Sequence, residues 1–405
     1  MRNIDKNYKL RYNAICIASD RYENSSIERH NKVKKITCVF LILLVLAATS
    51  AFSIEIEGTA PSVPGNPTIN GYLEDAFNGL KNQLGEQIGG LNSVPENLIR
   101  AFGNASVYAS QGATQRGYNG YKSFAFTFGP SVGFQLPVSP FEIMDLLDGD
   151  PLKGAFTDGD LTFGFNPQVI NAQIGFNTSF LMKNLYLGLR IGFTPDLGNI
   201  PEIGDLIGDI GGMKFSFSNF LIGITANYQL IESSKILGLI TWRGVNLGTG
   251  FLFQKTKLDM TYPLGSFGQE LEGGSGMSLS IDPNLFFNMD ITTFTIPVEI
   301  MTAIDLAILN IPIGFGVDFA FGESAVNIGM NSDITVEGGG FNNMKPGYLT
   351  VDAGGTASPT FANFKLMTGI GITIGSVILI DIPVTWYFMD KDNGLHVGVT
   401  MGVAF

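Results

Sequence analysis

The chain has 405 residues, 45% of them apolar and only 15% charged, with 51 Gly and 32 Phe, against a usual charged share of ~25%. Its formal net charge of −12 excludes nucleic acid as a partner on electrostatic grounds, and its apolar mass excludes a disordered chain. Length alone allows two or three domains, but β-barrels run past that limit as single units.

Residues 1–53 read as a polar lead followed by a secretory signal. Lys32, Lys34 and Lys35 precede an unbroken apolar run from Val39 to Ala48, and the small residues Thr49, Ser50, Ala51 and Ser53 follow. A basic flank, a short apolar core and a small-residue end make a cleavable signal peptide, and the run is too short for a transmembrane helix of ~20 residues. Cleavage falls after Ala51 or Ser53; an uncleaved anchor is the alternative reading. Cys16 and Cys38 lie upstream of either point, so the exported chain carries no thiol or disulfide chemistry. Loss of residues 1–51 takes nine of the 24 Lys/Arg and four of the 36 Asp/Glu, leaving 15 and 32, a net charge of −17.

Residues 54–120 do not alternate. Leu73, Phe77, Leu80, Leu84 and Ile88 recur at helical spacing and form an apolar stripe. A shorter helix begins after Ser93, with Pro95 and Glu96 in its first turn and Leu98, Ile99 and Phe102 on its apolar face. Gly103 to Gly120 reads as the loop feeding the first strand. Such stripes need cover, and the segment is read as a plug or hatch within a barrel lumen; a periplasmic helical extension is the alternative.

From residue 121 to 405 the apolar residues recur at every second position, the strand period. At the end of the chain Leu395, Val397, Val399, Met401, Val403 and Phe405 alternate with His396, Gly398, Thr400, Gly402 and Ala404. Ile311 to Phe321 and Ile378 to Phe388 divide likewise. One face of each strand is continuously apolar, while the other carries Gly, Ala, Thr, Asn and a few charges. A bilayer outside and a sheltered lumen inside account for that division better than a soluble sandwich. The predicted fold is therefore all-β membrane: a closed antiparallel transmembrane barrel of about fourteen strands with an N-terminal helical plug, embedded in outer-membrane lipid. Long extracellular connections are expected at 138–158, 259–274 and 338–360, and tight periplasmic turns at Gly322 to Ser324 and Gly375-Ser376. The stretch from Pro195 to Gly211 is long for a periplasmic connection and holds a candidate short helix at Glu202 to Ile210. Pro297, Pro312 and Pro383 fall on inward positions, each marking a bulge or a local twist.

Enzymatic chemistry is not expected. Zinc sites and Ser-His-Asp triads need several convergent ligands or an oriented base, and downstream of the signal only His396 remains. The acidic run Asp145, Asp148, Asp150, Asp158, Asp160 lacks the spacing of a calcium loop. No cofactor or metal is implied. Glu299, Asp318, Lys365, Asp381 and His396 are the polar residues expected to face the lumen, among Gly314, Gly316, Met367, Gly369, Gly371 and Ala320, which suggests a partly apolar passage.

The terminal strand resembles the recognition strand of bacterial outer-membrane proteins, which end on an aromatic residue. That resemblance implies that the barrel assembly machinery reads Val399, Met401, Val403 and Phe405. More loosely, a helical hatch followed by about fourteen strands is similar to the long-chain fatty-acid transporter (FadL-like) family, whose members pass hydrophobic molecules by a hatch shift and a gap in the wall. Of that family's Asn-Pro-Ala hatch motif, Gly103-Asn104-Ala105 keeps only part, and no ligand residues are carried over. The resemblance implies an outer-membrane transport protein for small hydrophobic, fatty-acid-like solutes. A general diffusion porin and a surface adhesin or structural barrel acting through its extracellular loops are the alternatives.

Overall fold

The computed structural model describes residues 55–88, 96–111, 123–136, 162–199, 212–270, 277–338, 344–375, 377–388 and 393–405. The signal segment, the acidic run at 145–160 and the candidate helix at 202–210 lie outside these residues. Two helices, α1 (Pro67–Ile88) and α2 (Glu96–Ala109), accompany the strands. The strands are β1 (Glu55–Thr59), β2 (Phe124–Leu136), β3 (Gly164–Asn177), β4 (Leu185–Thr194), β5 (Lys214–Ile231), β6 (Ser234–Leu237), β7 (Ile240–Pro263) and β8 (Phe267–Glu270). They continue with β9 (Met277–Leu306), β10 (Leu309–Gly338), β11 (Gly347–Ala357), β12 (Ala362–Ile374), β13 (Ile378–Phe388), β14 (Asn393–Gly398) and β15 (Thr400–Ala404).

All fifteen described strands belong to one antiparallel sheet. The ring runs from β10 through β12, β13, β14 with β15, β2, β3, β4, β5, β7 and β9 and returns to β10, which bonds both β9 and β12. Because β14 and β15 share one position in the wall, ten positions close the cylinder, an even number, as single-chain outer-membrane barrels require. Closure leaves no unpaired edge in the ring, the condition for a β-structure to cross lipid.

The expected closed barrel is thus present, with its strands divided differently. The stretches 275–281 and 292–308, which alternation reads as two strands, are one, and so are 311–322 and 324–337, likewise read as two; β9 and β10 are each 30 residues long. Gly322, read from sequence as a turn, sits inside β10 with φ +135 opposite Thr293. The region expected to be the loop 338–360 contains β11, and 259–274 contains the end of β7 and all of β8.

The reason is visible on the outer face. Along β10, Ile311, Ile313, Phe315 and Phe321 point outward and are exposed, whereas Pro312, Gly314, Gly316, Asp318 and Ala320 between them are buried. Beyond Phe321 the outward positions become Glu323, Ala325, Asn327, Asn331 and Asp333. On β9 the change falls between Phe294 and Thr292, and on β7 between Phe253 and Lys255. Aromatic rings cluster at this boundary: Phe253 with Phe294, and Phe321 with Phe361. From Ile311 to Phe321 at ~3.3 Å per residue and ~40° tilt the apolar band is about 25 Å tall, the height of an outer-membrane hydrocarbon layer. Trp242, bonded to Thr302 and opposite Ile304, lies at the short-turn edge of the band beside Ile311, as amphipathic rings do at membrane interfaces. The chain is an outer-membrane β-barrel. Above the band lipid no longer dictates the greasy face: the alternation changes phase, with Val326, Met330, Ile334 and Val336 of β10 now on the inward side, and the change of phase at Gly322 reads in sequence as a turn.

One end of the ring carries the short connections 178–184, Ala307-Ile308 and 375–377, together with the C-terminal Phe405. Strands β7, β9 and β10 overshoot the wall at the other end. Short turns face the periplasm in such barrels, so the overshooting strands, joined by β11, β8 and β1, form an extension on the extracellular side. The wall register runs unbroken through Pro297 and Pro383 and resumes unshifted after Pro312. The wall register shifts elsewhere: between Gly129 and Ser131 of β2, where the carbonyl of Pro130 accepts the Val399 amide at 3.0 Å, between Gln229 and Ile231 of β5, and between Trp242 and Val245 of β7.

Candidate functional site: a latched plug in the lumen

Helix α2 is short and rich in small residues, with Ala101, Gly103, Ala105, Ser106 and Ala109 distributed round it. Every residue from Leu98 to Ala109 except Arg100 is buried. A helix buried on all sides has to be enclosed, and α2 is enclosed by the wall itself. Gly133 of β2 and Gly164 of β3 form its seat: a Cβ at Gly133 would stand 2.4 Å from the Ala105 carbonyl oxygen, and one at Gly164 would stand 2.3 Å from that of Ala101. The Gly103–Gly120 segment, expected to be a loop, therefore begins as helix through Ala109, because Gly103 and Asn104 serve close packing there and not chain reversal.

Apolar packing holds the outer half of α2. Phe102 meets Phe165 and Phe287, each with ring centroids 6.2 Å apart. Polar groups fix its flank. Asn104 Nδ2 donates to Thr360 Oγ1 at 3.1 Å, and Thr360 N donates back to Asn104 Oδ1 at 2.7 Å. The Ser106 hydroxyl lies 3.2 Å from that of Thr293.

The inner end of the helix is latched by charge. Arg190 of β4 donates from Nη1 to the Ser110 carbonyl oxygen at 2.8 Å and from Nη2 to Gln173 Oε1 at 3.3 Å. A guanidinium at this position meets both the orphan carbonyls and the negative end of the helix dipole. Tyr108 stacks on Tyr387 of β13 with centroids 3.9 Å apart and donates to Gln135 at 2.8 Å. Just past the helix, Gln111 enters a buried cluster. Lys365 Nζ donates to Glu299 Oε1 at 2.5 Å, to Asp318 Oδ1 at 2.6 Å and to Gln111 Oε1 at 2.5 Å. Asp318 Oδ2 accepts from Gln111 Nε2 at 2.7 Å and from the Tyr387 hydroxyl at 2.9 Å. Lys365 and Asp318 are fully buried. Charges removed from water in this way persist only when paired and hydrogen-bonded, so the plug's Gln111 completes the coordination of an ion cluster built by β9, β10 and β12.

Of the five polar residues expected in the lumen, Glu299, Asp318 and Lys365 come together in this cluster. Asp381 and His396 also face inward and are buried, on β13 and β14. His396 sits opposite Gly133 and Thr385, with no hydrogen bond to either ring nitrogen. Arg190, Gln111, Tyr108 and Tyr387 escaped the sequence reading, although Arg190 carried a signal: it is the one charge on the inward side of β4, between Gly188 and Gly192.

The helix read from sequence as the plug lies elsewhere. Leu73 and Phe77 of α1 are buried with Val63, Leu279, Ile334 and Leu349, and Leu80 packs at the edge of that cluster. Ile334 is thirteen residues beyond Phe321 on β10, so α1 covers the inner face of the extracellular extension and not the lumen within the membrane. Both regions offer inward positions for an apolar stripe to cover, and a stripe does not say which it meets. Leu84 and Ile88 fall within α1, with side chains outside the described set. In the terminal strand Val399, Met401 and Phe405 point outward and are exposed, while Val403 is half-buried between Phe126 and Ile378 in register.

The lining is mixed: Phe217, Leu221, Leu252, Met301 and Met367 are buried on its inward face, and amides that the sequence reading did not single out stand beside them. Asn166, Gln168, Asn171, Gln173, Asn219 and Gln254 are all buried inward-facing amides, interleaved with Thr256, Thr293 and Thr295. Asn219 Nδ2, for example, donates to Asn166 Oδ1 at 2.6 Å and to Thr256 Oγ1 at 2.9 Å. Among the described residues no His, Cys, Asp and Glu group is arranged to hold a metal ion.

A family model described as Lsa36-like matches residues 56–403. No curated protein matches the chain. Among solved structures, the chain is similar to the translocator domain of the autotransporter NalP from Neisseria meningitidis, at TM-score 0.28 and 8% identity, covering 82% of this chain and 98% of that one. The Ralstonia pickettii toluene transporter TbuX gives TM-score 0.22 and 10% identity over 75% and 98%. A Pseudomonas aeruginosa FadL homologue gives 0.23 and 9% over 76% and 98%. A likeness this loose says nothing about what the chain carries or binds.

Proposed function

This chain belongs to the Lsa36-like family, whose matched region takes in plug and barrel together, and we propose that it is an outer-membrane transport protein gated by displacement of α2. The observation that carries this reading is how the plug is held. At its inner end α2 is fastened by hydrogen bonds from Arg190, Tyr108 and Gln111, which water can replace as the helix moves, at a net cost of ~1 kcal/mol for an ordinary bond and up to ~3 for a charged one. The passage it would uncover carries amides and hydroxyls beside Leu221, Leu252, Met301 and Met367; the polar share supports small polar solutes, and fatty-acid-like molecules, suggested by the FadL-like resemblance, are the alternative that the apolar share supports.

A disulfide between plug and wall tests the gate. The Ser106 and Thr293 hydroxyls are 3.2 Å apart, so Ser106→Cys with Thr293→Cys is placed to lock α2. Liposomes containing the reduced protein should swell in a small sugar and stop swelling on oxidation. Equal swelling in both states would overturn the gating role, and uptake of a labelled fatty acid without sugar passage would overturn the solute class. The polar extracellular extension favours a second reading, surface binding through β7 to β11.

A further inference from the structure

The path of the chain in front of the barrel has a direction. Strand β1 pairs residue for residue with β11, Glu57 opposite Thr350, and β11 in turn pairs with the distal part of β10, Thr350 opposite Asn331. Ser62 and Lys345 exchange two backbone hydrogen bonds of 3.0 and 2.8 Å. Helix α1 follows, buried against Ile334 of β10 and Leu349 of β11. Next comes α2, where Gly103 lies against Ser324 of β10. Gln111 then bonds Asp318. Ser123, finally, donates to the carbonyl oxygen of Phe405 at 2.5 Å, at the short-turn end of the ring. The chain therefore descends the inner side of β10 in sequence order, from Ile334 past Ser324 to Asp318, and emerges at the opposite mouth. Sixteen residues of strand separate Ile334 from Asp318, about 50 Å at ~3.3 Å each.

With the short turns in the periplasm, we infer that the barrel carries its own N-terminal segment, from β1 through α1, across the outer membrane and displays it on the cell surface, with α2 as the trailing part left in the lumen. A segment that precedes the barrel in sequence and lies on the far side of the bilayer has had to cross it. The lumen, which the chain still occupies, is the route lined with polar partners for its backbone, whereas lipid offers none. Strand β1 then locks the displayed segment by completing the edge of β11, and the Leu73 and Phe77 stripe closes over the extension. This self-transport is independent of solute passage: it requires only that α2 entered the lumen once, whether or not it moves afterwards.

Cysteine labelling on intact cells tests it, in a background where Cys16 and Cys38 are replaced by Ser. Asp75→Cys on the exposed side of α1 and Asn331→Cys on the extension should both react with a membrane-impermeant maleimide, and Ser179→Cys in the β3–β4 turn should react only after the outer membrane is opened. Asp75→Cys reacting only after opening, while Asn331→Cys reacts without it, would overturn the display; Ser179→Cys reacting in intact cells with Asn331→Cys silent would overturn the orientation on which it rests. The route has its own test, because a ring of ten strands is too narrow for a folded domain. A small domain closed by disulfides, fused ahead of Glu55, should abolish labelling of Asp75→Cys on intact cells, and the same domain with its cysteines changed to Ser should restore it. Labelling undiminished by the closed domain would overturn passage through the lumen.

Discussion

Lys365 is buried, yet it is satisfied by three oxygens from three different sources: two strands of the wall and the plug. Its replacement by an apolar residue of similar length does not simply remove one interaction; it leaves Asp318 and Glu299 facing each other without a counter-charge. Lys365→Met should therefore destabilise the barrel by about 3–5 kcal/mol, the usual consequence of stranding a buried charge, read as a lower midpoint of urea unfolding in detergent. Adding Asp318→Asn and Glu299→Gln to Lys365→Met should recover most of the loss; a triple variant as weak as the single one would contradict the pairing. Tyr387→Phe removes one bond to the Asp318 carboxylate and keeps the stack on Tyr108, for a smaller cost of about 1.5–3 kcal/mol.

At the scale of elements, α2 and the wall strands are shaped to each other. Gly133 and Gly164 leave no room for a side chain where α2 passes, so Gly133→Leu should push the helix off β2. The predicted result is faster sugar-driven swelling of liposomes and new protease cleavage within residues 96–111, with the barrel still intact; unchanged swelling and protection would show that the plug does not depend on that seat. Much of this was legible beforehand. Alternation announced the membrane-crossing half of every strand from Phe124 to Phe405, and the inward charges Glu299, Asp318 and Lys365 were assigned to the correct face. What escaped were the continuity of β9 and β10 beyond the band, where 275–281 and 324–337 read as separate strands, and β11, which read as loop; there Asn284, Asn288, Asn327 and Asp352 take the outward positions. Which helix of the 54–120 plug segment enters the lumen also escaped. Leu73 to Ile88 makes the longer apolar stripe, but the true plug has to be small on every side, and Ala101, Gly103, Ala105 and Ala109 spelled that out in a different vocabulary from amphipathicity.

For the whole molecule, a closed ring of strands, an apolar band about 25 Å tall and a helix-filled interior that mixes amides with apolar side chains are consequences of one condition: hydrocarbon touches the outward face between the levels of Trp242 and Phe321. Above the upper level the same strands carry Lys255, Lys257, Asp290 and Glu323 outward, which belong among headgroups and water. The lock on the plug, the route of the N-terminal segment and the polarity of the passage all presuppose this placement. Depth-resolved fluorescence quenching measures it directly. In a variant with Trp242→Phe, Trp386→Phe and Phe315→Trp, reconstituted into bilayers of brominated lipids, the single tryptophan should be quenched most by bromines near the bilayer centre. Quenching that is strongest for shallow bromines, or absent at every depth, would contradict the account.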